Sequence, residues 1–487
     1  MKIKPKQLSI FLILFFVVVY WTKGFMVPDP DLGWHIKTGE YILKYGIPKT
    51  DPFSFTMSNY PYINHSWLSS VVIYLLFISV RLRGLSFFFA LVAVAAVLIQ
   101  HRASKNKSFL PLFFSLFVML SFSGIRSQVF TWLFFSLELI FLYRGIKDKN
   151  NLLYLVPLTF LWVNMHGGFS LGIITYVVYT IWFIVKRRGA FFYYTLLLFV
   201  VVFITMFNPY GIGIWREVFS TVGSIPLHFS IREWLPAIYF IHLPFWFYTG
   251  LCTALFILYV KKLNPFTALI NTFLFISAFI SIRNIPLWMI SSFVLWDYST
   301  SLLIKDIFKN KKNAVLFNKA QKVFMIVLIL ISTIQSAIYI SSSYSSKEEK
   351  IYPTKAILYM KDKNIRGNVF SLYGWGGYLL WKVPGVKTFI DGRMPVWAWK
   401  QKDPRYSDFA YGEYLDLLNQ KIPFEKAVNK YHIAYVLYPT PPSSTKGFWS
   451  QIEKKLRVLF GQRDEMKNPF QKFKKIYEDD VATLYSL

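Results

Sequence analysis

The sequence predicts a polytopic α-helical membrane protein with a C-terminal extracytoplasmic α/β domain. Three observations carry that reading. The 487-residue chain is 55% hydrophobic and 20% aromatic, more apolar than a soluble domain usually is. Apolar segments recur in series, at 8–22, 67–80, 85–100, 108–123, 127–143, 152–163, 168–185, 191–207, 244–260, 265–281, 285–298 and 322–340. One such run fits a buried helix of a soluble core, but a dozen in series have no soluble explanation. The composition then changes after SSSYSSKEEK (341–350): residues 345–487 hold 15 of the 25 acids and 24 of the 54 basic residues.

The elements follow in order. Lys2, Lys4 and Lys6 precede segment 8–22 like the start of a secretion signal. WTKGFMVPDPD offers no small-x-small cleavage site, so an uncleaved first span is expected. Basic connectors lie at 1–7, 101–107, 144–151, 186–189, 261–262 and 305–319, and the positive-inside tendency assigns them to the cytoplasm. The turns at 123–128, 164–168, 208–244 and 282–284 then face outward, and 322–340 carries the chain out again. Twelve segments conflict in parity with a cytoplasmic start and an external end. The difficulty lies between residues 23 and 107, so roughly eleven to thirteen spans are expected. The module 1–344 would contain an acidic first external loop, 23–66. In the domain 345–487, helices are expected at 353–364 and 423–432. Short strands are expected at 368–373, 386–391 and 433–439, with a terminal hairpin over 475–487.

Net charge is +29. The Lys and Arg are dispersed through connectors with no aromatic-basic reading motif, which argues against nucleic acid and for anionic membrane lipids. The only cysteine, Cys252, lies inside an apolar run, so no disulfide forms within the chain.

Ten acids occur in the first 344 residues, and four of them, Asp29, Asp31, Glu40 and Asp51, crowd one loop. Asp29-Pro30-Asp31 holds two carboxylates close together on a chain stiffened by Pro28 and Pro30. Such a pair repels unless a cation or donor lies between them. A divalent metal (Mg or Mn) on Asp29 and Asp31 is one use, and a base readied by its partner is the other. The structural alternative is that Asp31 caps a helix starting at Leu32 while Asp29 is solvated. His35, His65 and Trp67 continue a polar-aromatic mixture over about 40 residues, long for an idle loop, while Tyr60 and Tyr62 suit an interfacial belt. The outward turns add Arg126 and Gln128, Asn164 and His166, Arg232 and Glu233, and Arg283. A single Arg at a helix end is more often a snorkelling anchor. Together on one face they would bind a phosphate-bearing lipid headgroup, arginine offering bidentate geometry. In the C-terminal domain, Tyr373-Gly374-Trp375-Gly376-Gly377 and Asp391-Gly392-Arg393 stand out. The glycines permit a sharp strand-to-helix turn that exposes aromatic faces, or else a tight turn around a core Trp375. No Walker loop, GxGxxG, HExxH or Ser-His-Asp signal occurs, which argues against nucleotide hydrolysis.

Along nearly its whole length the chain resembles the GT-C membrane glycosyltransferases. The D-P-D-x-x-W-H loop (29–35) resembles their acidic first external loop. R-x-Q-x-F-T (126–131), N-x-H-G-G-F (164–169) and N-P-Y-G (208–211) look like the turns of a prokaryotic branch. YGWGGYL and FIDGR are distantly similar to the W-W-D-Y-G region of oligosaccharyltransferase catalytic subunits, and protein mannosyltransferases are further relatives. The Asp of that pentapeptide is absent here, since Gly376 follows Trp375, so sequon recognition does not carry over. Comparable loops also read H-E-W where this one has His65-Ser66-Trp67.

The resemblance implies an inverting transfer from a polyprenyl-phosphate sugar, delivered within a plasma membrane, to a glycan, lipid or protein acceptor outside. Asp31 or Asp29 would act on the acceptor hydroxyl. His35, Glu40, Asp51, His65, Trp67, Arg126, Gln128, Asn164, His166, Arg232, Glu233, Arg283, Tyr373, Trp375, Asp391 and Arg393 would bind substrates. Basic groups or a metal would stabilise the departing phosphate. The competing readings are a transporter or flippase of lipid-linked sugars, which predicts interrupted helices in two related halves, and a non-catalytic envelope scaffold that binds polysaccharide.

Overall fold

A computed structural model describes residues 5–105, 108–186, 191–224, 231–307, 319, 323, 326–327, 347–400, 402–440 and 469–487. Most of the expected span 322–340 and most of connector 305–319 lie outside the described residues. In chain order the helices are α1 (Pro5–Met26), α2 (Leu32–Tyr45), α3 (Trp67–Ala103), α4 (Phe109–Met119), α5 (Gln128–Gly145), α6 (Leu155–Met165), α7 (Phe169–Lys186) and α8 (Phe191–Ile204). They continue with α9 (Gly213–Val222), α10 (Leu243–Tyr259), α11 (Pro265–Ile280), α12 (Ile285–Ile307), α13 (Lys347–Ile351), α14 (Thr354–Asp362), α15 (Gly376–Lys382), α16 (Ala410–Leu418) and α17 (Phe424–Tyr431). The strands are β1 (Gly367–Ser371), β2 (Val386–Thr388), β3 (Tyr435–Pro439), β4 (Lys474–Glu478) and β5 (Ala482–Ser486). The chain divides into two compact units, one of residues 1–29 with 63–344 and one of 30–62 with 345–487.

The first unit is helical throughout its described elements. Helices satisfy their backbone polar groups internally, which an apolar surrounding demands. α3, α7 and the stretch 243–262 are long and apolar enough to cross a membrane, and 10–26, 109–122, α8 and α11 are shorter apolar helices. Val185, Phe192, Phe199, Ile257 and Leu258 all stand exposed on the unit's surface. Large apolar side chains exposed in this number suit hydrocarbon better than water. α3 contains one non-helical residue, Arg81, with φ +57°. That kink separates the two apolar segments the sequence reading kept apart, 67–80 and 85–100. At the end of α1, the Lys23 ammonium donates to the carbonyls of Leu120 (2.5 Å), Ser123 (2.9 Å) and Ser121 (3.3 Å). It thereby satisfies carbonyls that the end of α4 and its 3-10 extension leave open.

The second unit is built on a five-stranded sheet of order β2-β1-β3-β5-β4. β1 runs parallel to β2 and β3, while β5 is antiparallel to β3 and β4. Successive β1 side chains point to opposite faces. Val369 joins Ala356, Ile357 and Met360 of α14, with Leu379, Leu437 and Leu484. Phe370, on the other face, meets the rings of Phe389, Tyr414, Phe424 and Phe470. The sequence division grouped 23–66 with the membrane module, whereas residues 30–62 pack into this unit. Ser54 bridges Thr388 in parallel beside β2, the Thr56 hydroxyl donates to the Phe389 carbonyl at 2.6 Å, and the Ser407 amide donates to the Thr56 carbonyl at 2.8 Å. α2 lies on α15 at a glycine contact so close that a Cβ on Gly33 would sit 2.0 Å from the Gly377 carbonyl oxygen. Trp34, Phe53 and Leu380 bury a small apolar cluster beside it. These apolar and polar partners are the physical reason for the boundary.

Candidate active site

In the first unit, three turns bring charged side chains together. Asp29 follows α1, Arg126 precedes α5, and Glu233 lies in the 3-10 turn Arg232–Trp234. Arg126 Nε is 3.1 Å from Asp29 Oδ2, and its Nη1 is 2.5 Å from Glu233 Oε1. Burial alone would raise the Glu233 pKa. The charge and hydrogen bond of Arg126, then the charge of Arg283, outweigh it and hold the carboxyl below its ordinary value. The turn around Glu233 is tied to the next one, because the Ile282 amide donates to the Leu235 carbonyl at 2.9 Å and the Ser281 hydroxyl to the Glu233 carbonyl at 3.2 Å.

That second turn presents Arg283. Its guanidinium lies over the Trp234 ring, 5.1 Å from the centroid, its carbonyl accepts from Gln128 Nε2 at 3.2 Å, and its Nη2 lies 3.2 Å from His166 Nε2. His166 is held at its other nitrogen as well. The Gly168 amide donates to Nδ1 at 2.9 Å, and the Thr131 hydroxyl lies 2.8 Å from the same atom. Thr131 Oγ1 itself accepts from Trp162 Nε1 at 3.0 Å. Arg283 Nη2 and His166 Nε2 thus stand side by side, with the opposite edge of the imidazole fixed by Gly168 and Thr131. His65 meets the His166 ring edge-on at 5.8 Å, and burial, then the charge of Arg283, push its pKa down to about 4.

Beside these groups runs an apolar groove of about 560 Å³, lined by Trp67, Phe160, Leu161, Asn164, Met206 and Phe207 among others. Asn164 is its polar floor. Its Oδ1 accepts from Trp67 Nε1 at 2.9 Å, and its Nδ2 donates to the carbonyls of Phe160 (2.8 Å) and Phe207 (3.1 Å). Arg232 is exposed.

The remaining sequence-predicted residues fall in the second unit, Asp31 among them, while Asp29 belongs to the first. Asp31 stands just before α2 but makes no side-chain cap. Its Oδ1 accepts instead from Trp34 Nε1 at 2.9 Å, and a Cβ on Gly392 would lie 2.3 Å from that oxygen. His35 is buried and stacks on Trp34. Glu40 pairs along α2 with Lys37 (2.7 Å) and Lys44 (2.8 Å). Asp51, Asp391 and Arg393 form one buried ion network, with Arg393 Nη1 2.6 Å from Asp51 and Nη2 2.7 Å from Asp391. Asp51 also accepts from the amides of Phe53 and Ser54, so these three groups bind the segment 49–62 to the sheet. Trp375 is a buried core residue that donates to the Ile351 carbonyl at 2.9 Å, not an exposed face. The Tyr373 amide donates to the Tyr414 hydroxyl at 3.0 Å. The sequence reading missed Thr131 and Trp234. Both were adjacent to signals it used, Thr131 closing the R-x-Q-x-F-T motif and Trp234 following Glu233.

A divalent metal is one of the two uses the sequence leaves open for Asp29 and Asp31. Among the described residues no group of three His, Cys, Asp or Glu side chains gathers to hold one, and Asp29 Oδ2 is engaged by Arg126. The side chains alone do not fit a divalent ion.

No family model matches the chain, and no curated protein matches it either. Solved structures do. The apo oligosaccharyltransferase of Archaeoglobus fulgidus matches over 89% of this chain and 70% of its own, with TM-score 0.57 and 12% identity. The same enzyme in complex with Zn and sulfate matches over 98% and 73%, with TM-score 0.55 and 11% identity. Its form tethered to an acceptor peptide containing the NVT sequon matches over 99% and 74%, with TM-score 0.52 and 11% identity. At this identity the likeness is one of fold.

Proposed function

We propose that this chain, whose fold is that of an archaeal oligosaccharyltransferase, is a membrane glycosyltransferase. It moves a sugar from a polyprenyl-phosphate-linked donor to an extracytoplasmic glycan, lipid or protein acceptor, with inversion, at the outer face of a plasma membrane. The observation that carries the reading is the Arg283 guanidinium beside the His166 imidazole, Nη2 3.2 Å from Nε2. A phosphate oxygen suits a guanidinium and an imidazole N–H. The apolar groove that opens beside them fits an isoprenoid chain, which would deliver the phosphate from the lipid side.

In this reading the acceptor hydroxyl attacks the anomeric carbon from the face opposite the phosphate. The bond from that carbon to the phosphate oxygen breaks. The hydroxyl proton passes to a carboxylate, Asp29 being the member of the acidic pair that shares a unit with Arg283 and His166. Arg283 and His166 take the charge that develops on the leaving phosphate, and no step is assigned to a metal. Arg126 Nε, 3.1 Å from Asp29 Oδ2, orients that carboxylate.

The test is turnover of a polyprenyl-phosphate sugar by purified protein with candidate acceptors, comparing wild type with Asp31→Asn and Asp29→Asn. Loss of product in Asp29→Asn supports the assignment, and full turnover in both removes the acidic loop from the mechanism.

A further inference from the structure

We propose that Thr131 and Trp162 are positioning residues, which fix the orientation and the tautomer of the His166 ring for the donor's phosphate. Two helix ends bring them together. Thr131 lies in the first turn of α5, Trp162 in the last turn of α6, and His166 directly follows α6. All three are buried. Trp162 Nε1 donates to Thr131 Oγ1 at 3.0 Å, and that oxygen lies 2.8 Å from His166 Nδ1. An indole N–H can only donate, so one lone pair of Oγ1 is taken. The hydroxyl hydrogen and the second lone pair remain for the imidazole. Thr131 is β-branched and sits on a helix, so its hydroxyl has few rotamers to choose from.

The two nitrogens of the ring then stand in unlike settings. Nδ1 meets the Thr131 hydroxyl and the Gly168 amide, while Nε2 meets the Arg283 guanidinium. A neutral imidazole carries its proton on one nitrogen or the other, and unequal settings favour one placement. A half-turn of the ring would set a C–H against the Thr131 hydroxyl and forfeit that bond. Glycines clear the space for this arrangement. A Cβ on Gly168 would stand 2.5 Å from Thr131 Oγ1 and 3.0 Å from His166 Nδ1, and one on Gly172 would stand 2.6 Å from the Trp162 ring. Packing this tight leaves the ring no alternative seat.

Neither Thr131 nor Trp162 lines the apolar groove, so a change in either reaches the donor through His166. A ring already aimed at the place where charge develops needs no reorganisation as the phosphate leaves. That is what the indole and the hydroxyl contribute.

The inference rests on the transferase reading for its purpose, but its first test contains no lipid donor, so the two can fail separately. The full chain, labelled with nitrogen-15 at histidine, is placed in nanodiscs at about pH 8, where an ordinary histidine is neutral. The His166 ring signals are identified by their loss in His166→Gln, and their shifts report which nitrogen holds the proton. The expected result is one tautomer in wild type and in Thr131→Ser, which keeps the hydroxyl, and a mixture in Thr131→Val, which keeps only the shape. In turnover, Thr131→Val lowers kcat about tenfold with KM for the lipid donor nearly unchanged, and Thr131→Ser restores most of it. Trp162→Phe, which lacks the indole N–H, shows a smaller loss in the same direction. Thr131→Val ring signals that match wild type overturn the proposal. So does an unmoved kcat, a Thr131→Ser loss as large as that of Thr131→Val, or a loss that only follows the melting temperature. A wild type that transfers no sugar defeats the transferase reading, and the ring signals still decide this one.

Discussion

Arg283 and His166 meet directly, Nη2 to Nε2 at 3.2 Å. Arg283→Ala removes one member of the pair and its stacking on Trp234, and is expected to lower kcat about 10²–10³-fold, measured with the lipid donor saturating. Arg283→Lys keeps the charge but not the planar fork, so it should recover only part of the loss. His65 gives a stability signature with a definite sign. Its pKa is about 4 in the folded chain against an ordinary value of 6.5, so the unfolded chain binds more protons between those values and stability rises with pH across the window. The contribution is complete above about pH 6.5 and is lost as pH falls towards 4. Thermal unfolding should therefore show a slope between these pH values that His65→Gln flattens. Arg393 is a different kind of residue. Arg393→Met leaves Asp51 and Asp391 buried without their cation, and should destabilise the second unit by about 3–5 kcal/mol in denaturant unfolding. The sequence reading offered Asp51, Asp391 and Arg393 as ligand-binding groups because each sits beside a turn. Their pairing across 342 residues leaves no trace in local spacing, so a structural network looked like a binding one.

Helices and strands were far more legible than their partnerships. Period-two apolar runs marked β1, β2 and β3, and glycine and proline punctuation marked the turn into α15. The observed strands Gly367–Ser371, Val386–Thr388 and Tyr435–Pro439 fall within the expected segments or one residue outside them. The break of α3 at Arg81 also fell where the apolar pattern paused, since RLRGL interrupts the run. Illegible was the docking of α2 on α15, which depends on the absence of side chains at Gly33 and Gly377. An added Cβ at Gly33 would meet backbone, 2.0 Å from a carbonyl oxygen, and backbone cannot rotate away as a side chain does. Gly33→Ala should therefore cost about 1–3 kcal/mol by overpacking. Limited proteolysis should then cut residues 30–62 faster than in wild type.

Across the whole molecule, composition announced a helical apolar body and a sheet-bearing C-terminal part, because hydrophobic periodicity is a local property. It did not announce that residues 30–62 belong to the later part, because that follows from tertiary contacts spread across most of the chain. A chain ending after residue 344 should show this directly: residues 30–62, without β2 and α15 to pack on, would be cleaved by protease while the apolar helices stay protected. The same arrangement sets a schedule for biosynthesis. Asp51 leaves the ribosome 342 residues before Arg393, a wait on the order of half a minute at ordinary elongation rates. Throughout that interval Trp34, Phe53 and a charged aspartate stand without their shelter, so the nascent chain offers chaperones a sticky segment that only the last stretch of translation can retire.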